Sequence, residues 1–242
     1  VIFNWELYKD DLKAILNTRN GGLAIYGGII GVVTVGLIIC KIRKVKFLPM
    51  LDIISLGFLI GQGIGRWGNF VNQEAFGCNT GNIFGMTGGE IQDTILRNTA
   101  YSDGHMTAES MNYLQTVHPC FLYESLWCLL GFLLISTYSK HRKYDGQIVL
   151  MYLAWYGAER FIVEGLRTDS LMIGNFRVSQ ILSLVIFIIS VAIQIAMIFI
   201  RKKNPEKFVL YCNTEESKKL MESESGDNEE EQYESITDND GE

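Results

Sequence analysis

Polar and apolar positions alternate along this chain on the scale of whole helices. Five apolar runs stand out: Leu23–Cys40, Leu48–Ile64, Phe121–Tyr138, Gln147–Val163 and Val178–Ile200, each 17 to 23 residues long. That length matches a helix crossing a hydrocarbon layer of ~30 Å. Val178–Ile200 is the cleanest, with Gln180 and Gln194 as its only strongly polar residues and no charge. Backbone groups in lipid must be paired within the segment, so the spans are predicted to be helices. The pattern predicts an all-α polytopic membrane protein with five transmembrane helices. Residues 1–200 form its membrane-embedded domain and residues 201–242 a tail.

Charge sets the topology. Lys41, Arg43, Lys44 and Lys46 lie between the first two runs, Lys140, Arg142 and Lys143 between the third and fourth, and Arg201–Lys203 after the fifth. Five crossings put all three clusters on one side, which the positive-inside rule makes cytoplasmic. The long loop Arg66–Pro119 and the loop Gly165–Arg177 then face outward. The net charge of −6 says little about the body, because 13 of the 27 acidic residues follow Ile200. The acidic tail has too little apolar matter to fold and is expected to be disordered and cytoplasmic. The cysteines Cys40, Cys78, Cys120, Cys128 and Cys212 form no CxxC pair and no metal-ligand spacing. Neither a disulfide framework nor a metal is expected. Val1 is not an initiator methionine, and the chain is expected to lack an amino-terminal part.

Candidate chemistry gathers at the outer ends of the spans. Asn20–Gly28 opens the first; Arg66, Asn69, Asn72 and Glu74 close the second; His118, Tyr123 and Glu124 open the third; Arg160, Glu164 and Arg167 close the fourth. Arg160, Glu164 and Arg167 share one helix face at i, i+4 and i+7, with Glu159 one residue off it. Ionisable groups inside a membrane point to function, although a salt-bridge ladder that only staples helices is the plain structural alternative. A guanidinium binds phosphate oxygens in a fork and stays charged at any relevant pH, so Arg66 and Arg160 suit an anionic headgroup. His118 is the one histidine at the membrane boundary beside other polar residues.

The stretches NGGLAIYGG, GRWGNFVNQEAFG, HPCFLYES and ERFIVEGLRTDS, in this order, resemble the bacterial prolipoprotein diacylglyceryl transferases. The likeness runs from about Val1 to Ile200. It implies a bacterial cell-membrane protein of seven spans, of which this chain would carry five, with the site at the outer face. It also implies transfer of the diacylglyceryl group of phosphatidylglycerol to the lipobox cysteine of a preprolipoprotein, with no cofactor, no nucleic acid and only lipid and signal peptide as partners. By the same resemblance Arg66 and Arg160 are the essential arginines. Asn69, Asn72, Glu74, Gly77, Glu164 and Arg167 belong to the phosphatidylglycerol site. Many members carry histidine, proposed as the base, where this chain has Tyr26. A tyrosine with its usual pKa near 10 accepts protons poorly at neutral pH. Tyr26 and His118 stand as catalytic candidates: either Tyr26 is a hydrogen-bonding or positioning group, or the thiol loses its proton to another acceptor, with His118, Glu74 and water as the choices. A small-solute transporter and a non-catalytic scaffold are the competing readings; the absence of an internal repeat and the outer position of the charges argue against the first.

Overall fold

The computed structural model describes residues 25–100, 111–168, 172–173 and 176–223. They fall into two units, one ending at Phe47 and the other beginning at Leu48. The described part of the first is essentially α1 (Ile25–Ile42), a glycine-containing apolar helix with Lys41 in its last turn. The second contains α2 (Phe47–Asn72), α3 (Gly89–Ala100), α4 (Cys120–Ser139), α5 (Gln147–Glu164) and α6 (Val178–Lys203). A hairpin of two-residue strands, β1 (Met172–Ile173) and β2 (Phe176–Arg177), leads into α6, pairing Met172 with Arg177 and Ile173 with Phe176.

Among the described residues, α2, α4 and α6 are long and apolar enough to cross a membrane. Ile53, Leu133 and Phe199 stand exposed on their surfaces, as lipid-facing side chains do. The chain is therefore a mostly helical membrane protein. The other two expected spans differ from these three. The 18-residue α5 is interrupted by Glu159, Arg160 and Glu164, and α1 is described from Ile25 onward. Helix α2 does not stop where its apolar run does at Ile64 but continues to Asn72. Its glycines would weaken a helix in water, but where water cannot compete for the backbone the ladder persists. Arg66 and Asn69 consequently sit on the last turns of a helix.

Helices α2, α4 and α5 close around Leu59, Ile135 and Ile148, with Leu56, Phe132, Met151 and Trp155 at the margin. Trp127 and Trp155 each donate an indole N–H to the other's backbone carbonyl, at 3.2 and 3.0 Å, and their rings lie 4.7 Å apart. This locks α4 to α5. A second core, Phe76, Met86, Ile91, Ile95, Val117 and Phe121, lies under the long loop. Helix α3 supplies Ile91 and Ile95 from one face and exposes Asp93 and Arg97 on the other, 3.9 Å apart. The loop thus contains a packed body, while residues 101–110 lie outside the described residues.

The segment beyond residue 200 departs from the expected disordered tail over its first part. Helix α6 runs to Lys203, short 3-10 turns follow at Pro205–Lys207 and Tyr211–Asn213, and a helix occupies residues 215–223. Two aromatic residues explain this. The Phe208 ring meets Tyr144 at 6.5 Å, and Tyr211 is buried, its N–H donating to Asp145 Oδ2 at 2.9 Å. Burial pushes the Tyr144 phenol above its ordinary range, and Tyr138 and Asp52 act in the same direction. The most acidic stretch, 224–242, lies outside the described residues.

Candidate functional site

The end of α2, the start of α4 and the end of α5 bring charge together. Glu124, one turn into α4, is 1% exposed. Its Oε2 meets Arg66 Nη1 at 3.0 Å and its Oε1 meets Arg160 Nη1 at 3.0 Å. Arg160 Nη2 also reaches Glu164 Oε2 at 2.6 Å, one turn along α5. Arg177, where β2 meets α6, donates from Nη1 to the Glu164 backbone carbonyl. A buried carboxylate without partners would be very costly; two guanidinium partners make Glu124 tenable. The arginines stay partly open, with side chains 22% and 17% exposed. Among the described residues, Arg66 is paired with Glu124, and Arg160 with Glu124 and Glu164. The arrangement is a pair of preoriented cationic forks with a carboxylate behind them.

Glu159 lies beside this cluster and is 3% exposed. Cys128 Sγ donates to its Oε2 at 3.7 Å, and among the described residues its Oε1 has no hydrogen-bond partner. Trp67 Nε1 donates to Ser125 Oγ at 3.2 Å, a further tie between α2 and α4 at the level of the arginines.

A separate polar patch forms where the chain leaves α2. Gln73 and Ala75 adopt positive φ, 53° and 56°, which folds Glu74 back over the last helical turn. Asn69 Nδ2 and Asn72 Nδ2 both donate to Glu74 Oε1 at 3.1 Å. Gly77 then makes a close crossing. Its N–H donates to the His118 carbonyl at 3.0 Å, and it bridges Arg167 in antiparallel fashion. A Cβ there would lie 2.7 Å from His118 Cβ and 3.0 Å from the Leu166 carbonyl. Only glycine lets the three helix ends meet this tightly.

The structure thus unites Arg66, Arg160 and Glu164, and separately Asn69, Asn72 and Glu74. Gly77 and Arg167 join through their backbones at the crossing. His118 does not contact either arginine; its Nδ1 pairs with Tyr123 Oη at 3.1 Å, and that hydroxyl is 3.4 Å from Asn82 Nδ2. Tyr26 is in the first turns of α1, in the other unit, and its side chain lies outside the described residues. Sequence reasoning noted Glu124 but did not assign it a role. The available signal was a lone carboxylate one turn inside an apolar helix, at the level where two other spans carry arginine.

The family model described as prolipoprotein diacylglyceryl transferase matches residues 1–196. A phosphatidylglycerol–prolipoprotein diacylglyceryl transferase of Listeria monocytogenes serotype 4a is 44% identical over 193 residues, covering 80% of this chain and 65% of the relative. Proteins of the same name are 42% identical in Listeria innocua, over 193 residues and the same shares, and 44% identical in Bacillus mycoides, over 203 residues, 84% of this chain and 69% of the relative. The chain spans 65% of the length of the Listeria relatives that it matches.

Proposed function

The chain belongs to the prolipoprotein diacylglyceryl transferase family, and from that premise we propose that it moves the sn-1,2-diacylglyceryl group of phosphatidylglycerol onto the thiol of a preprolipoprotein lipobox cysteine. A thioether forms and glycerol 1-phosphate leaves. The observation that carries this reading is the pairing of Arg66 and Arg160, from two helices, on the single buried carboxylate Glu124.

The chemistry follows from that pairing. The attacking sulfur reacts as a thiolate, from a thiol whose ordinary pKa is about 8.5. It attacks the glycerol carbon that bears the phosphate ester. The C–O bond breaks with its electron pair passing to the phosphate, where negative charge accumulates. Arg66 and Arg160 face that charge with donors already oriented by Glu124 and Glu164, so little reorganisation is needed when it develops. One preorganised donor of this kind typically contributes about 3–4 kcal/mol. Asn69, Asn72 and Glu74 bind the polar headgroup, while Gly77 and Arg167 hold the crossing that keeps this patch beside the arginines. The proton goes to His118, Glu74 or water.

The same reading places five spans in a bacterial plasma membrane, the arginines at the outer face and the carboxyl-terminal segment in the cytoplasm. The basic clusters at Lys41–Lys46, Lys140–Lys143 and Arg201–Lys203 support that orientation. The test is incubation of membranes holding the complete protein with labelled phosphatidylglycerol and a lipobox peptide. The expected result is a diacylglyceryl thioether and glycerol phosphate in equal amounts, and no product from a Cys→Ser peptide. Solute uptake without lipid transfer would favour a transporter, and neither activity a scaffold.

A further inference from the structure

Asp52 is a charged residue inside an apolar stretch, far from the arginines, and the mechanism above does not use it. It is 4% exposed. Its Oδ2 accepts the Gly146 N–H at 2.8 Å and its Oδ1 accepts the Val149 N–H at 2.9 Å. Gly146 is the N-cap residue of α5, with φ +92°, and it offers no side chain to cap the helix. Asp52 therefore caps α5 from another helix. Amides of a first turn have no partner within their own helix, and a carboxylate there also meets the positive end of the helix dipole. The third helix joins the same knot. Gln147 Nε2 donates to Tyr138 Oη at 3.0 Å, and Gln147 Oε1 accepts the Lys143 N–H at 2.7 Å.

The spacing from this knot to the charged cluster is the same on all three helices. Asp52 to Arg66 on α2, Glu124 to Tyr138 on α4 and Gly146 to Arg160 along α5 each span fourteen residues. At 1.5 Å per residue each is a rise of ~21 Å, and fourteen residues fall only about 40° short of four full turns. Both ends of each helix therefore face the same interior, and a fixed level at one end fixes the level at the other. Leu59, midway along this stretch of α2, packs in one cluster with Ile135 and Ile148.

We propose that Asp52 is a positioning residue for the transferase site: by capping α5 it sets the axial register of α5 against α2, and so places Arg160 level with Arg66 on Glu124. The role is one of alignment, exerted through the helices, with no contact to substrate. The fully engaged carboxylate accounts for a charge buried in an otherwise apolar stretch. The inference rests on the transferase reading for its kinetic test but not for its structural one.

Two measurements on the complete protein test it. In the transfer assay, normalised to folded protein, Asp52→Ala lowers kcat about 30-fold, the scale set by an ångström-level misplacement of catalytic groups. KM for phosphatidylglycerol stays within about threefold, because groups that bind the ground state are retained. Asp52→Asn, which keeps one acceptor oxygen, recovers part of the rate, and Ile53→Ala on the exposed side of α2 changes nothing. In the second measurement, spin labels on the exposed positions Val71 and Ile162 report the distance between the far ends of α2 and α5. The distribution broadens in Asp52→Ala and narrows again in Asp52→Asn. An unchanged distribution in Asp52→Ala overturns the proposal, as does a kcat within twofold of the unsubstituted protein. Absence of transfer by the unsubstituted protein refutes the transferase reading instead, and the distance measurement still decides the role of Asp52.

Discussion

Arg160 and Glu124 meet at 3.0 Å between α5 and α4, and the other oxygen of the same carboxylate holds Arg66 of α2. One buried glutamate thus decides where two guanidinium groups point. It also explains how two cations are held close together: the carboxylate offsets their repulsion.

Removing that carboxylate should affect both folding and turnover. Breaking a buried ion pair from one side typically costs about 3–5 kcal/mol. Glu124→Ala is expected to lower the thermal midpoint of the detergent-solubilised protein and to reduce transfer at least tenfold per folded molecule. Glu124→Gln, which keeps the shape but only one acceptor, should fall between. Normal stability and activity in Glu124→Ala would remove the hub from the account.

The forks matter as well as the charge. Lysine is a point charge without the planar donor pair of arginine. Arg66→Lys and Arg160→Lys are each expected to reduce kcat/KM by about tenfold or more, a loss of at least ~1.4 kcal/mol of transition-state stabilisation. Full activity in both would show that charge alone suffices.

Gly77→Ala puts a methyl group 2.7 Å from His118 Cβ and 3.0 Å from a backbone carbonyl. The backbone there cannot yield as a flexible side chain would. Overpacking of this kind costs about 1–3 kcal/mol. The expected outcome is a lowered thermal midpoint with transfer reduced in step, since α2, α4 and α5 must separate at the crossing. A chemical denaturation series checks the stability part independently of activity.

Tyr26→Phe is expected to keep transfer within about threefold, because a neutral tyrosine is a weak proton acceptor at neutral pH. A tenfold gain in Tyr26→His would instead show that a base at this position is useful to the reaction.

Much of this was legible in the residues, for identifiable reasons. The apolar runs announced the helices α2, α4 and α6 because a lipid-crossing helix needs length and little else. Arg66 and Arg160 stood out because charge at that depth is costly. Glu124 and Asp52 were equally visible as lone acids in apolar surroundings, but their roles depend on which helices lie beside them, and spacing along one helix cannot give that. Arg66, Asn69 and Asn72 were legible as the polar close of the second span, and the helix does carry all three, running past its apolar run to Asn72. The fold of residues 205–223 was hidden by an acid-rich average; Phe208 and Tyr211 were the informative residues, and their partners Tyr144 and Asp145 lie more than sixty positions away in the chain.

The central claim is that Arg66 and Arg160 together stabilise the departing phosphate. The most direct measurement is the rate of diacylglyceryl transfer from labelled phosphatidylglycerol to a lipobox peptide by the complete protein, its Arg66→Ala and Arg160→Ala variants and the double variant. The account predicts thioether formation by the unsubstituted protein, a loss of about 100-fold or more in each single variant, and a double variant little worse than either, because the two act as a unit. Transfer within twofold of normal in Arg66→Ala, or no lipid-linked peptide from the unsubstituted protein, would contradict it.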